Sequence, residues 1–232
     1  MLKVLSWNIR QGGGSRVSSI CQKLINSDSQ LIVLSEFRNN SAGASIRHKL
    51  LLAGYRHQYV SNSKPSENSA AVFSKIKGSS FSLPIVDSKY HENMVGVSFA
   101  AFDIIGVYLP HKKKHQLFDS ILQQTSKEVC KPRIICGDFN TGFNFIDQAG
   151  DSFWYTDKMK ALGDASYVDA FRLIHADKKE FSWFSHQGNG YRYDHTYIHS
   201  DISPLVSNCY YLHEWREEKL SDHSPMILEL KG

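Results

Sequence analysis

Short apolar runs, each closed by a polar residue, set the rhythm of this chain. Residues 3–7 read as a strand ending at Asn8, and residues 31–34 as a second strand ending at Glu36. Between them Val17, Ile20, Leu24 and Ile25 recur at helical spacing, with Ser15 placed to cap a helix that runs to about residue 26. Another helix is predicted over 44–53, closed by Gly54. Strand, helix, strand, helix is the opening of an α/β protein.

The middle of the chain changes character. Residues 70–75, 81–85, 94–100 and 102–108 read as four consecutive strands, which predicts a meander in a mostly antiparallel sheet. A helix over 114–129, with Leu117, Ile121 and Leu122 inward, leads into Ile134-Ile135-Cys136-Gly137-Asp138-Phe139-Asn140. That stretch reads as a buried strand whose end opens into a tight turn. Residues two apart share a side, so Asp138 and Asn140 should project together while Phe139 is buried. Residues 144–162 read as loop with some helix, and a short helix begins near Asp169. Strands over 181–184, 191–198, 207–212 and 225–230 complete the pattern.

Composition narrows the class. A hydrophobic share of 41% with 22% charged residues fits a globular protein and excludes a disordered chain. No linker divides the sequence, so residues 1–232 are expected to form one domain, as a monomer. The net charge of +4 suits an anionic partner. No apolar run is long enough for a membrane span, and no signal peptide precedes the first strand. Cys21, Cys130, Cys136 and Cys209 form no Cys-x-x-Cys pair and read as reduced thiols of a cytoplasmic protein.

The chemistry gathers at the ends of the apolar runs. Asn8, Glu36, Tyr108, Asp138 with Asn140, Asp194, and Asp222 with His223 each follow or terminate one. Mostly oxygen donors, they suit a hard cation such as Mg²⁺, with Mn²⁺ as a substitute, and do not suit zinc. Such a site would serve attack of water on a phosphate ester. The pairs His111/His115 and His195/His199 sit in no metalloprotease motif, and Gly12-Gly13-Gly14 lacks the spacing of a phosphate-binding loop. Ser6, Ser35 and Ser221 have no Gly-x-Ser-x-Gly elbow.

Six motifs together resemble the endonuclease/exonuclease/phosphatase superfamily. They are Ser6-Trp7-Asn8-Ile9-Arg10, Leu34-Ser35-Glu36, Gly106-Val107-Tyr108-Leu109-Pro110, Gly137-Asp138-Phe139-Asn140, Arg192-Tyr193-Asp194-His195 and Ser221-Asp222-His223-Ser224-Pro225. They occur in family order across nearly the whole chain. The resemblance implies a four-layered α/β sandwich, two mixed β-sheets packed face to face with helices outside. It also implies a divalent metal and a phosphoester substrate. Carried over by motif, Glu36 would be the main metal ligand, assisted by Asn8 and Asp222. Asp138 would orient or activate water, Asn140 would bond the phosphate, and Tyr108 would donate its hydroxyl. His223 would contact the scissile phosphate, oriented by Asp194.

The stretches at Asp169, Phe181-Ser182-Trp183 and Arg192-Tyr193-Asp194 resemble the exonuclease III and apurinic-endonuclease branch. There Trp183 would stack on a base or sugar, with plain core packing as the alternative. Arg10-Gln11-Gly12 after Asn8 and Phe37-Arg38 after Glu36 depart from that branch and leave abasic-site recognition open. Lys112, Lys113 and Lys114 are candidate phosphate contacts, and Arg10, Arg38 and Lys64 are weaker ones of the same kind; a solvated loop or helix start is the alternative for the lysines. The resulting expectation is a Mg²⁺-dependent nuclease acting on nucleic acid, DNA above all. The alternative is a phosphatase or phosphodiesterase for a small molecule or lipid headgroup.

Overall fold

The apolar runs pair into two six-stranded sheets and a two-stranded ribbon. The structure is a computed structural model that describes residues 1–85, 87–112, 114–125 and 131–231. In chain order the strands are β1 (Leu2–Asn8), β2 (Leu31–Phe37), β3 (His57–Val60), β4 (Ser69–Ser74), β5 (Ser79–Phe81), β6 (Met94–Ser98), β7 (Asp103–Tyr108), β8 (Arg133–Asp138), β9 (Tyr167–Asp169), β10 (Trp183–Phe184), β11 (Gly190–Tyr191), β12 (Asp194–His199), β13 (Val206–Tyr211) and β14 (Met226–Leu230). The helices are α1 (Val17–Asn26), α2 (Ser41–Leu52), α3 (His115–Thr125), α4 (Thr156–Asp164), α5 (Ala170–His175) and α6 (His213–Glu217). One sheet has the order β13-β14-β1-β2-β4-β3 and the other β5-β6-β7-β8-β12-β9. Each is mixed: β1 and β2 run parallel, as do β7 and β8, while their outer neighbours are antiparallel.

Neighbouring residues on a strand face opposite ways, and here both faces are apolar. Val33 and Val72 of the first sheet meet Ile104, Ile134 and Ile198 of the second in the central core. The outer face of the first sheet packs Leu5, Ile32 and Leu34 under Ile20 and Leu24 of α1 and Ile46 and Leu50 of α2. The outer face of the second packs Ile105 and Ile135 under Leu117 and Ile121 of α3 and Met159 and Leu162 of α4. Helices, sheet, sheet and helices make the four layers of the expected α/β sandwich. At Gly106 an added Cβ would stand 2.8 Å from a methyl of Val33, so a side chain there would force the sheets apart. Among the described residues no helix is long and apolar enough to cross a membrane.

The local details differ in instructive ways. Ser15 lies inside a 3₁₀ turn, Gly14–Arg16, and does not cap α1. Arg10, Gln11, Gly12 and Gly13, which lead into the turn, and Gly14, its first residue, are all in the left-handed region. That geometry moves the cap from Ser15 to Arg16 and the helix start by one residue. The second helix begins at Ser41, because the Asn40 side chain accepts a hydrogen bond from Gly43 N and caps it three residues earlier than the apolar spacing predicts. The four middle strands do not form one meander. β4 pairs with β2 and β3 in the first sheet, whereas β5, β6 and β7 are consecutive in the second. Residues 57–60 carry no apolar alternation, yet they form β3, a half-buried edge strand. The predicted helix over 114–129 is described as α3 only to Thr125; residues 126–130, with Cys130, lie outside the described residues. Cys21, Cys136 and Cys209 are buried free thiols.

One edge of the second sheet is held by a buried ion network. Arg192 is wholly buried; its Nε lies 2.7 Å from Asp147 Oδ1 and its Nη2 lies 2.6 Å from Asp169 Oδ2. Arg172 also reaches Asp147. His195 sits between Thr141 O at 2.8 Å and Asp169 Oδ2 at 3.5 Å. These contacts tie β9, β12 and the loop that follows β8 into one block. Burial would raise the Asp169 pKa, but Arg192 and His195 outweigh burial and hold it well below the usual carboxylate range. Breaking one partner of such a buried set leaves charge uncompensated. We therefore expect Asp169→Asn to cost about 3 kcal/mol in urea denaturation at neutral pH. Because the folded pKa is depressed, that stabilisation is complete above the unfolded pKa of about 4 and is lost as pH falls through the folded value. The gap between wild type and variant should accordingly narrow in acid. An equal gap at pH 7 and pH 2 would contradict this account.

Candidate active site

The site forms where the C-terminal ends of β1, β2, β7 and β8 meet the start of β12. Asn8, the last residue of β1, is fully buried. Its Nδ2 donates to Asp138 Oδ2 at 2.8 Å and to Glu36 Oε1 at 3.2 Å, and its Oδ1 accepts from Arg10 N at 2.9 Å. Glu36 owes its direction to a break in β2. The register with β4 shifts between Leu34 and Phe37, and Glu36 itself has φ 54°. Such a bulge turns a side chain out of the strand's alternation. The freed carboxylate accepts Gln11 N on Oε2 at 2.7 Å. The left-handed run at residues 10–14 supplies that amide.

Asp138 ends β8 behind Gly137, whose φ of 145° brings it against Val107 O. A Cβ there would sit 2.0 Å from that oxygen, so the position admits only glycine. The turn then closes on itself. Asn140 N donates to Asp138 Oδ1 at 2.8 Å, and Asn140 Nδ2 lies 3.0 Å from Asp138 Oδ2 and 2.9 Å from Leu109 O. The two side chains thus share a side. Phe139 is buried in the opposite direction, against Phe118, His195 and Tyr197.

Strand register brings the partners. Asp138 is directly opposite Asp194 on one side and Tyr108 on the other. Asp194 Oδ2 stands 2.7 Å from His223 Nδ1, and Ser182 Oγ accepts the backbone N–H groups of Tyr193 and Asp194. His223 is anchored through its own carbonyl, which accepts Trp7 Nε1 at 2.9 Å. Burial opposes charge on His223, but Asp194 and Asp138 outweigh it and raise its pKa to about 10. The imidazole is therefore charged at neutral pH. Asp138 moves the other way: burial first, then Asp194, push its pKa above the carboxylate range, against the lowering effect of His223. Burial followed by the Glu36 charge raises the pKa of Tyr108, so its hydroxyl keeps its proton; Asn68 Nδ2 lies 3.4 Å from that oxygen.

Asn8, Glu36, Asp138, Asn140, Asp194 and His223 therefore meet in one cleft. The remaining candidates divide. Asp222 contacts Arg10 Nε at 3.8 Å and Trp183 Nε1 at 3.4 Å, on the rim of the cleft. Trp183 is half-buried in a ring stack with Tyr191 and Tyr193. The exposed Lys112 holds its ammonium 5.3 Å from the Trp154 ring. Lys113 lies outside the described residues. Lys114 requires a correction. It is fully buried, and its Nζ donates to Phe139 O at 2.8 Å and Asn140 O at 2.7 Å. It braces the Asp138 turn from behind and has no surface for a phosphate; burial lowers its pKa. Arg38 is engaged with Asn68 at 2.6 Å and Lys64 with Glu67 at 3.4 Å.

Sequence reading missed Asn68, Ser182 and the structural use of Ser35 and Ser221. Ser35 Oγ donates to Val107 O at 2.8 Å and accepts Asp138 N at 3.2 Å, and Ser221 Oγ donates to Asn8 O at 2.6 Å. Ser35 and Ser221 sit beside Glu36 and Asp222, and that adjacency was the available signal. Ser182 lies in the Phe181-Ser182-Trp183 stretch, and that was its signal; Asn68 carried none.

Two hollows flank the cleft. One, of about 440 Å³, lies beside Asn140 and is lined by Lys112, Phe153, Trp154, Tyr191 and Tyr193. The other, of about 390 Å³, lies beside Asp222. A larger hollow of about 570 Å³ sits away from this chemistry, at Tyr59, Phe81 and His91. For a cation, Asp138, Asp194 and His223 offer ligand atoms within 4.8 Å of one another. The His223 nitrogen that faces them is already spent on Asp194, so this trio reads as acid–base machinery. The half-buried Glu36 carboxylate, oriented by Asn8 behind it, fits a hard cation better. Asp194 Oδ1 is a buried oxygen without a donor among the described residues.

Comparison with known proteins agrees with this geometry. Recombination repair protein 1 of Drosophila melanogaster is 26% identical over 188 residues, which cover 68% of this chain; the matched region is 27% of that protein's length. A 3′-phosphatase from Neisseria, NExo, bound to product DNA hairpin, superposes with a TM-score of 0.87 at 20% identity over 100% of both chains. An AP endonuclease from Archaeoglobus fulgidus gives a TM-score of 0.83, also at 20% identity over 100% of both chains. At such identities the two structures speak to the fold. A profile of the Endonuclease/Exonuclease/phosphatase family matches residues 5–223, and the chain belongs to that family.

Proposed function

We propose that this protein is a divalent-cation-dependent phosphoesterase that hydrolyses phosphodiester bonds of DNA by direct attack of water. The observation that carries the reading is the Asp194–His223–Asp138 arrangement, one charged imidazole between two carboxylates of opposite task. Asp194 fixes the imidazole tautomer and favours its charged form. The free Nε2–H of His223 then donates to a phosphate oxygen and offsets its charge. Asp138, with its raised pKa, accepts the proton of the attacking water. Tyr108 donates its hydroxyl to a remaining phosphate oxygen, and Asn140, its two amide hydrogens spent on Asp138 and Leu109 O, holds Asp138 in place. Glu36, with Asn8, would hold Mg²⁺ or Mn²⁺, which supplies Lewis-acid stabilisation of the phosphoryl and leaving oxygens when bound.

Several features support a nucleic-acid substrate. The net charge is +4, and the hollow beside Asn140 is walled by Phe153, Trp154, Tyr191 and Tyr193, rings on which a base or sugar can stack. One curated relative is named for recombination repair, and one structural neighbour holds a DNA product. The same neighbour is named a 3′-phosphatase, which favours a terminal phosphate on DNA as the second reading. A panel of duplex, nicked and 3′-phosphorylated DNA beside RNA, inositol phosphates and sphingomyelin, each with Mg²⁺, separates these classes. Turnover confined to the last two would remove the proposal.

Removal of the acid–base groups should spare the fold and stop the reaction. Asp138→Asn and His223→Gln are each expected to lower kcat about a thousandfold, with an unchanged circular dichroism spectrum. Chelation by EDTA should abolish turnover and added Mg²⁺ restore it. Glu36→Gln should raise the half-saturating Mg²⁺ concentration at least about tenfold. Persistence of full activity in EDTA would exclude the cation.

The pH profile follows from the two shifts. Asp138 works ionised and its pKa is raised, so the acid limb should lie above the ordinary carboxylate pKa of about 4. His223 works charged, so activity should hold through neutral pH and fall as pH rises through about 10. In Asp194→Asn the imidazole loses its main anionic partner, and the alkaline limb should move to lower pH. An alkaline limb unmoved by that substitution would detach His223 from Asp194.

A further inference from the structure

Beside the site, past Asp222, lies a groove whose charge the reaction at one phosphate does not use. It is lined by Arg10, Phe184, Arg216, Lys219, Ser221 and Asp222 and holds about 390 Å³. Three cations face one carboxylate there. The Arg10 side chain is 58% exposed, and its 3.8 Å approach to the half-exposed Asp222 is the kind of screened pair that leaves a guanidinium free for another anion. The Arg216 guanidinium stands over the Phe184 ring, 4.4 Å from its centroid, and makes one hydrogen bond among the described residues, to Phe181 O at 3.3 Å. Its other N–H groups are left for a ligand. Lys219 is exposed and has no ion pair among the described residues. It sits in the left-handed region at φ 60°, in a tight turn where its N–H donates to Arg216 O at 2.8 Å. The turn keeps the two cations adjacent. Of the neighbouring acids, Glu218 is taken by Lys23 at 2.7 Å, and Glu217 does not line the groove.

The groove is braced to the cleft. Arg16 donates to Leu220 O on one rim and to Arg10 O at 2.7 Å on the other. The floor residue Ser221 donates to Asn8 O at 2.6 Å, so the groove is tied to the backbone of a residue of the site. A hollow that is net positive, fork-shaped in its donors and joined to a phosphate-hydrolysing centre has one natural occupant.

The geometry points to a second phosphate subsite: Arg10, Arg216 and Lys219 bind a phosphate of the substrate next to the one being hydrolysed. This rests on the phosphoesterase reading and adds to it the substrate class, a chain with at least two phosphates. Contacts made equally in ground and transition states lower KM and leave kcat alone. The subsite thus selects polyphosphodiesters over esters with a single phosphate.

The test compares three substrates in wild type, Lys219→Gln and the double variant Arg216→Gln/Lys219→Gln. They are a dinucleotide with one phosphodiester, the same dinucleotide carrying one terminal phosphate, and a decanucleotide. In the double variant KM should rise about tenfold for the second and third substrates, with kcat within about twofold and no change for the first. The slope of log KM against log salt for the decanucleotide should flatten by about 1.5, roughly 0.7 for each cation removed. Lys219→Gln, exposed and without risk to folding, should give about half of both effects. A KM increase confined to the decanucleotide identifies backbone phosphate as the ligand, and one shared with the phosphorylated dinucleotide admits a terminal phosphate; either supports the subsite. An equal KM for all three substrates in wild type and variants, or an equal loss on all three, overturns it. A wild type inactive on every substrate brings down the phosphoesterase reading, and the subsite with it.

Discussion

A buried hydroxyl ties the two halves of this molecule together at the point where its chemistry occurs. Ser35 belongs to the first sheet, yet it donates to Val107 O and accepts Asp138 N in the second. Val107 and Asp138 lie on paired strands of that sheet, so the hydroxyl grips both strands at once. The bond fixes the height of one sheet against the other at the cleft. Every distance between Asn8 or Glu36 and Asp138 depends on that setting. Within the second sheet, register does the rest, because Tyr108, Asp138 and Asp194 lie in one row across three strands. The site is thus a seam between rigid elements, which is where a reactive constellation is held most closely.

Burial decides how the charges in that seam behave. Asp138, Asp194 and His223 are nearly inaccessible, so each carboxylate is expensive to ionise alone and the imidazole between them is stabilised as a cation. Lys114 lies on the far side of the same turn, its ammonium held by two carbonyl oxygens. The pair of Asp138 and Lys114 keeps the turn near neutrality as a unit, although only the carboxylate faces the cleft. The network around Arg192 is a separate account, and its charges are satisfied internally. Protonation events in the cleft and in the sheet edge are consequently independent to first order.

Much of this was readable from residues alone, and the parts that were not share a cause. Polar side chains that close apolar runs stood out because a buried strand has little reason to end in Asn, Glu or Asp. Asp138 and Asn140 were placed on one side because alternation is a local property. Lys114 was misread because three lysines in a row look solvated; only the packing of α3 against the Asp138 turn shows that one of them is buried. The split of the middle strands between sheets was invisible for a related reason. Periodicity reports that β4 is buried on both faces, and says nothing of which sheet supplies its neighbours. Asn68, Ser182 and Arg192 act through partners distant in sequence, and no spacing rule reaches that far.

The order of strands in the first sheet has a consequence for folding. β1 lies between β2 and β14, with Leu2 opposite Leu230. The earliest strand of this fold is therefore completed by its latest, and pairings of such long range are slow to form. Asn8 rides on β1 and His223 on the turn just ahead of β14. Until β14 pairs, one side of β1 is open and the turn that carries His223 is not seated at the cleft, so catalytic competence arrives with that pairing and never by degrees.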